Sequence, residues 1–338
     1  MSQPDTLLEQ FGQQWQWPAY VLAARFDASN HLAFALGDGS LQLLPAGNPS
    51  APQRVEVHEG IALSLAGAPG GGFLSGGDDG RLVRVAVDGS VQELASFPGR
   101  WVDHVASHAN GVVACSEGKR LHLYAEGRDE IVREFPSTVG GLCFSPDGHR
   151  IAVSHYGGVT LCSTRSADST PVPLTCPGSH LAVTWSPNAR FVLSAMQEDC
   201  IRGWRLEDND DLYMSGYATK VKSWSWFNGG RHLATSGSNC APCWPFKGRK
   251  GPRGLAPKTP GDTTSALVTA VAGDPDHPIL GIGYDDGQVT VADIDKDQEA
   301  VIKPPGHGAV TTMAWSPDCA WLAFGTEKGF AGLFPVAG

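Results

Sequence analysis

The sequence predicts an all-β fold built from short repeated sheets, and three observations lead to it. Glycine (42 residues) and proline (24 residues) together make up 66 of the 338 residues, about one in five, which leaves little room for long helices. Tryptophan (10) and phenylalanine (13) favour strands with a buried face. The third observation is a phrase that recurs along the chain at a nearly constant spacing, which is typical of repeat architectures.

The recurring phrase is a sequence motif. It begins with a strand of alternating apolar and polar residues, continues with an aromatic or small residue and Ser-Pro-Asp or Ser-Pro-Asn, and ends with a second short strand. Its clearest copies begin at Phe144, Trp185 and Trp315. Weaker copies, with degenerate turn residues, begin at Phe26, Ala66, Ala106, Trp226 and Ala272. Successive copies are 38 to 46 residues apart, a period in the range where each repeat is one supersecondary unit.

Each repeat is predicted to hold four antiparallel strands. After the phrase, a second strand runs into a tight turn, as in Phe73–Gly80 and Ile279–Gly287, where Asp-Gly between apolar alternations is a strong hairpin signal. A third strand follows, for example Leu82–Val87, and then a more variable fourth strand, for example Glu130–Phe135. The one stretch with any helical pattern is Asp5–Phe11.

Four short strands cannot bury both faces of their sheet alone, whereas sheets stacked around an axis can, and this favours a β-propeller. Over residues 18–338 the sequence resembles the WD-repeat (WD40) family, best in Gly178–Arg205. The family's hydrogen-bonding tetrad is matched there by His180, Ser194, Asp199 and Trp204. No repeat ends in Trp-Asp, and repeats one, three and seven lack the Gly-His opening. The resemblance therefore implies the propeller fold, with the tetrad stabilising few blades.

Eight blades are the favoured count for a single closed propeller of four-stranded antiparallel blades. Eight phrases are present, and 338 residues divided by eight is about 42 per blade. The last repeat ends at Leu333–Val336 without an outer strand, so residues 11–17 are predicted to close the last blade and remove a free sheet edge. Residues 1–10 would be an N-terminal tail and residues 11–338 the propeller. The alternative is seven blades, with the third repeat as an insertion.

Composition and charge exclude several classes of protein. The net charge is −10, whereas nucleic-acid binders normally carry a basic face, so no nucleic-acid partner is expected. No apolar run approaches the ~18 residues that span a membrane, and no membrane association is expected. Residues 1–17 lack the basic start and apolar stretch of a secretory signal. A cytoplasmic protein whose eight cysteines are reduced is therefore expected.

Cys240 and Cys243 form the sharpest local motif, because two thiolates at this spacing can bind one Zn²⁺. A structural zinc site needs four ligands, and alignment of the repeats supplies Cys200, His180 and His155 as candidates, with Cys200 ranked first. The competing interpretation is that His180 belongs to the tetrad and that the cysteines are buried core residues. Zinc binding, in an accessory protein of metal homeostasis, is therefore the alternative function.

The leading hypothesis is a non-enzymatic scaffold that binds one or more protein partners. The sequence has no Gly-x-Ser-x-Gly, no His-Glu-x-x-His and no Gly-x-Gly-x-x-Gly opening a helix, so neither catalysis nor a cofactor apart from the zinc alternative is expected. A propeller enzyme such as a quinoprotein dehydrogenase would need an extended catalytic motif. The WD40 resemblance implies docking on the narrower face, where we place His58, Arg100, Trp101, His180, Lys220 and His307.

Overall fold

The computed structural model describes residues 5–46, 51–262 and 265–336. These residues contain one short helix and 29 strands, which pair as seven antiparallel sheets. The chain forms two compact units, here called the first unit (residues 1–54 and 221–338) and the second unit (residues 55–220). No described helix has both the length and the apolar character needed to cross a bilayer.

The elements are short and follow one another closely along the chain. Up to the middle of the second unit they are α1 (Leu7–Phe11), β1 (Gln13–Gln16), β2 (Val21–Phe26), β3 (Leu32–Leu36), β4 (Ser40–Leu44), β5 (Gln53–Glu56), β6 (Ala62–Gly67), β7 (Phe73–Gly77), β8 (Arg81–Val85), β9 (Val91–Ser96), β10 (Val102–Ser107), β11 (Val113–Glu117), β12 (Arg120–Tyr124), β13 (Ile131–Glu134) and β14 (Gly141–Phe144). The remaining strands are β15 (Arg150–Ser163), β16 (Val172–Trp185), β17 (Phe191–Met196), β18 (Ile201–Arg205), β19 (Asp210–Met214), β20 (Trp224–Phe227), β21 (His232–Thr235), β22 (Cys243–Pro245), β23 (Val268–Gly273), β24 (Ile279–Tyr284), β25 (Val289–Asp293), β26 (Gln298–Lys303), β27 (Val310–Trp315), β28 (Trp321–Thr326) and β29 (Phe330–Pro335).

Five of the seven sheets have four strands each, in the order expected for a repeat of hairpins. Four of them are β2-β3-β4-β5, β6-β7-β8-β9, β10-β11-β12-β13 and β23-β24-β25-β26, and the fifth is β1-β29-β28-β27. The other two sheets are β20-β21-β22, with three strands, and β14 to β19 in sequence order, with six. The all-β propeller architecture predicted from the sequence is therefore present.

The prediction of eight four-stranded blades is wrong, because the described strands form seven sheets. Repeats four and five share the six-stranded sheet through β15 and β16, which are 14 residues long each. Gly157 and Gly158 have φ angles of 94° and 146°, a backbone open mainly to glycine. The chain reverses at this position within β15, so that the Thr164 amide donates to the His149 carbonyl (3.1 Å). The third repeat, which the seven-blade alternative treated as an insertion, forms a complete sheet.

The N-terminal segment is structured from the first described residues, where a tail had been predicted over residues 1–10. Thr6 caps α1, since its Oγ1 accepts from the Glu9 amide (3.2 Å) while the Glu9 carboxylate accepts from the Thr6 amide (2.7 Å), which is a capping box. Leu8 is 1% exposed and packs in a core cluster with Ile302 and Val310. Strand β1 then pairs with β29, with Gln13 opposite Leu333.

The core of each sheet lies along its middle strands. β3 and β7 are buried along their whole length, in agreement with their continuous runs of small and apolar residues. The outer strand β1 alternates between half-buried and exposed positions, as expected of a strand with one face in water. Inner strands are therefore fixed by packing, and the loops that connect them are free to carry function.

Candidate functional site

One edge of the second unit carries a row of large exposed apolar side chains, which we call the loop edge. In antiparallel strands, the segment before the first strand of a sheet and the segment after its second strand lie at the same edge. Backbone contacts show this in the second sheet, where the Asp78 amide donates to the Ile61 carbonyl (3.1 Å) and the Ile61 amide donates to the Asp78 carboxylate (2.7 Å). The same topology places Ile61, Arg100 and Trp101 at this edge. Tyr156 lies where β15 reverses and is opposite Ser179, two residues before Leu181, so these two side chains lie at the same edge.

Two aromatic residues dominate the loop edge. Trp101 is 60% exposed and Tyr156 is 66% exposed, although burying an aromatic side chain would be favourable. Ile61 and Leu181 are also among the exposed large apolar residues. Trp and Tyr are the side chains most enriched in the energetic centres of protein interfaces. Trp101 was predicted from the sequence and Tyr156 was not, although its position before Gly157-Gly158 at a tight turn was the available signal.

Charged side chains next to Trp101 form an ion-pair network. Val102, which follows Trp101, lies opposite Glu117 in the β10–β11 pair. The Glu117 carboxylate is nearly buried and lies 3.9 Å from the Arg100 guanidinium and 3.3 Å from that of Arg120. Arg120 also contacts Glu134 at 3.3 Å. Arg100 is the most exposed of these side chains, so it stays available to an acidic group of a partner.

The remaining residues predicted for the interaction face lie in different environments. His58 is 7% exposed and belongs to the interior. Lys220 is half-buried at the end of the second unit. His307 is exposed in the first unit, where its ring centroid lies 4.4 Å from that of Phe330. Of the predicted set, the structure therefore brings together only Arg100 and Trp101 at the loop edge.

A buried lysine near His307 was missed by the sequence analysis. Lys303 is 4% exposed and its Nζ donates to three carbonyl oxygens, those of Gly287 (2.8 Å), Pro304 (3.1 Å) and Gly306 (2.8 Å). Burial lowers the pKa of this amine to about 8. Its hydrogen bonds tie the turn after β24 to the segment before β27, which is a structural role.

A complete Asp-His-Ser network stabilises the second sheet. His58 Nδ1 lies 3.0 Å from the Asp79 carboxylate, and its Nε2 lies 2.9 Å from Ser75 Oγ. Asp79 also accepts from the backbone amides of Glu59 (3.2 Å) and Arg81 (3.0 Å). Burial lowers the pKa of His58 although Asp79 raises it. The spacing of four residues between Ser75 and Asp79 was the signal for this network.

The tetrad predicted in the fifth repeat has three of its four members together. His180 Nδ1 lies 3.0 Å from Ser194 Oγ, and the ring centroids of His180 and Trp204 are 6.0 Å apart. The other ring nitrogen of His180 contacts the Cys176 carbonyl at 2.9 Å, where Asp199 was expected. Asp199 follows Ser194 by five residues and is exposed with φ of 52°. Asp199 therefore lies one residue beyond the position that Asp79 occupies in the second sheet, where this repeat has Glu198.

We expect the two aspartates to differ when each is replaced by asparagine. D79N should lower the free energy of unfolding by about 1–2 kcal/mol, because three donors lose a charged acceptor. D199N should change it by less than about 0.5 kcal/mol, as is usual for an exposed position. Urea unfolding followed by circular dichroism measures both. Equal losses in the two variants would contradict this assignment of the network.

The cysteine pair and its proposed partners lie in different units. Cys240 and Cys243 belong to the first unit, and Cys200, His180 and His155 belong to the second. Burial raises the pKa of the thiols of Cys240, Cys243 and Cys200, so a zinc ion would have to displace their protons on binding. Both ring nitrogens of His155 are also engaged, by the Tyr156 carbonyl and by Thr160 Oγ1 at 2.8 Å each. Zinc at Cys240 and Cys243 stays a prediction, and either histidine would have to release a hydrogen bond first.

Comparisons with known proteins agree with this architecture. The family described as "WD domain, G-beta repeat" matches residues 298–331, which span β26 to β29. A comparison with curated proteins finds no match. Among solved structures, the chain is similar to the computationally designed Ika8 protein, with a TM-score of 0.72 and 15% sequence identity over 95% of this chain and 98% of that one. At this identity the likeness concerns the fold alone.

Proposed function

On the premise that this chain is a β-propeller of the WD40-repeat family, we propose that it is a non-enzymatic scaffold that binds a protein partner at the loop edge of its second unit. WD40 propellers generally mediate protein–protein interaction. The observation that carries the proposal is the exposure of Trp101 and Tyr156 at one edge, since Trp and Tyr are enriched among the residues that contribute most to binding energy at protein interfaces.

The charges at the loop edge support a partner surface with an acidic group beside an apolar one. Trp101 supplies an apolar anchor, and the exposed Arg100 beside it supplies a guanidinium that can bind a carboxylate with two hydrogen bonds. The Glu117 carboxylate forms ion pairs with the guanidinium groups of Arg100 (3.9 Å) and Arg120 (3.3 Å). A pre-positioned guanidinium loses less side-chain entropy on binding than a free one.

The chemistry of the thiols supports the non-enzymatic part of the proposal. A nucleophilic cysteine needs a lowered pKa, whereas burial raises the pKa of Cys115 to about 12 and that of Cys162 to about 11. The sequence also lacks the nucleophile and metal-protease motifs named above.

The test uses one anchor variant and one matched control. A photoreactive amino acid in place of Ile61, which keeps Trp101 and Tyr156 intact, identifies the partner by cross-linking, and the purified partner is then titrated calorimetrically. W101A should weaken the Kd at least tenfold, as expected for an interface anchor. Tyr213 is equally exposed (59%) but lies on the outer strand β19 with Arg202 over its ring at 4.3 Å, so Y213A should change the Kd less than twofold. An unchanged Kd for W101A, or an equal loss for Y213A, would refute the loop edge as the binding surface.

A further inference from the structure

Three metal-ligating side chains of different chemistry converge in the first unit, outside every site discussed above. A carboxylate oxygen of Asp274, a ring nitrogen of His277 and the sulfur of Cys319 all lie within 4.8 Å of one another. Among the residues that the structure describes, this is the group of three that is close enough to hold one ion. We propose that Asp274, His277 and Cys319 form a zinc-binding site.

Two turns of the repeat hold the three ligands in place. Asp274 follows β23, and its Oδ1 accepts from the backbone amides of Asp276 and His277 at 2.9 Å each, while His277 Nδ1 lies 3.1 Å from the same carboxylate. Cys319 lies in the Ser-Pro-Asp-Cys turn after β27, where its amide donates to the Ser316 carbonyl (3.0 Å). Its φ angle is 61°. The turns therefore position the ligands before any ion arrives, which lowers the ordering cost of binding.

The surroundings of the three ligands are negatively charged. The site opens into a groove of about 500 Å³ whose lining includes three more carboxylates, those of Asp293, Asp295 and Asp318, and one lysine, Lys296. Lys296 is already paired with Asp293 at 3.0 Å, and Asp295 is paired with Lys258 at 2.9 Å. The carboxylate of Asp276 lies 3.9 Å from the Cys319 sulfur. Carboxylates outnumber cationic groups here, so a divalent cation would relieve their mutual repulsion.

The mixed ligand set favours zinc over the hard cations. Ca²⁺ and Mg²⁺ take oxygen ligands, whereas Zn²⁺ accepts sulfur at ~2.3 Å, imidazole nitrogen at ~2.0 Å and carboxylate oxygen at ~2.1 Å. Ligand atoms up to 4.8 Å apart reach a tetrahedral arrangement by closing about 1 Å. Asp276 or a water molecule supplies the fourth ligand. Burial, followed by the contact with Asp274, raises the pKa of the Cys319 thiol to about 11, so zinc must displace its proton, which goes to solvent as the zinc-bound thiolate forms. The exposed ring of His277 leaves a path for the ion.

The first repeat provides an internal control for this site. Asp27 and His31 form the same carboxylate–imidazole pair at 3.1 Å in the corresponding turn. In the described residues that pair belongs to no group of three ligands. Since both pairs share the same turn chemistry, the thiol of Cys319 is what distinguishes a zinc site from an ordinary Asp-His turn.

The test is a metal titration of the purified, chelator-treated full chain under reducing conditions. One equivalent of Co²⁺ should produce thiolate-to-metal charge-transfer absorption, and Zn²⁺ should displace it. C319G keeps a residue suited to φ of 61° and should lose the absorption and bind Zn²⁺ at least tenfold more weakly. H277A changes an exposed side chain and should also weaken binding at least tenfold. H31A and the C240S/C243S double variant should bind as the parent does.

Three results would overturn the site. They are the absence of saturable Co²⁺ or Zn²⁺ binding by the parent chain, an unchanged titration of C319G or H277A, and loss of the absorption in the C240S/C243S variant. The melting temperature of metal-free C319G, compared with that of the metal-free parent, checks that the turn is intact.

Discussion

Deletion of residues 1–17 should lower the free energy of unfolding by at least about 4 kcal/mol. The deletion removes β1, so β29 loses its hydrogen-bonded partner and becomes an open edge. It also removes Leu8 from the cluster with Ile302 and Val310. Finally, it removes the packing of Trp15 and Trp17 on Phe34. The ring centroid of Phe34 lies 6.3 Å from that of Trp15 and 5.2 Å from that of Trp17. Guanidinium unfolding, monitored by tryptophan fluorescence and by circular dichroism, measures the loss.

Two point variants in α1 separate core packing from the other effects of this deletion. L8A should cost about 2–5 kcal/mol, the range for a leucine truncated in a packed core, because Leu8 is 1% exposed. F11A is the matched control, since Phe11 lies in the same helix and is 60% exposed; it should cost less than about 0.5 kcal/mol. A shortened chain that unfolds at the same denaturant concentration as the full one would disprove the role of the N-terminal segment.

Acidification from pH 6.5 to pH 4 should remove roughly 3 kcal/mol of stability through His232 alone. His232 is 2% exposed, its Nδ1 lies 3.2 Å from the Asn228 amide nitrogen, and it packs on Phe227. Burial, followed by the charge of Lys247, lowers its pKa to about 4. Between pH 6.5 and pH 4, His232 is therefore protonated in the unfolded chain and largely neutral in the folded chain. The stability is fully present above pH 6.5 and is lost as pH falls toward 4.

The contribution of His232 is measured from the difference between two pH profiles. H232N should be less stable than the parent at pH 7, but its free energy of unfolding should fall by about 3 kcal/mol less between pH 6.5 and pH 4. Parallel profiles for H232N and the parent would show that His232 does not carry this dependence.

Local patterns predicted the strands well where the turn between them is short. The second strand predicted in Phe73–Gly80 is observed as β7, and the third strand predicted at Leu82–Val87 is observed as β8. The alternation of apolar and polar residues and the Asp-Gly turn both involve residues close together in the chain, so they can be recognised in the sequence. The turn expected in the fourth repeat is also present, because β15 reverses at Gly157-Gly158 and the Thr164 amide donates to the His149 carbonyl (3.1 Å). The patterns did not show that the fourth and fifth repeats share one sheet.

Some residues of the candidate sites were predicted from the sequence, and others were recognised only in the structure. Trp101 and Arg100 were predicted from their place in a loop, and the structure adds that Trp101 is exposed beside an ion-pair network. The Asp-His-Ser network of His58 was missed because a histidine has the same appearance in a sequence whether it is buried or exposed. Cys319 was treated as one buried cysteine among eight, although it lies beside Asp274 and His277.

By itself, the sequence determined that the chain is all-β, that it repeats about every 40 residues and that it resembles the WD40 family, since composition, alternation and turn residues act over short distances. Only the tertiary structure decided how many sheets form, that Leu8 belongs to a core and that Cys319 meets two ligands more than forty residues away. These outcomes depend on which strands pack side by side. That packing is set by the sum of many weak contacts between distant segments, and no single stretch of sequence contains it.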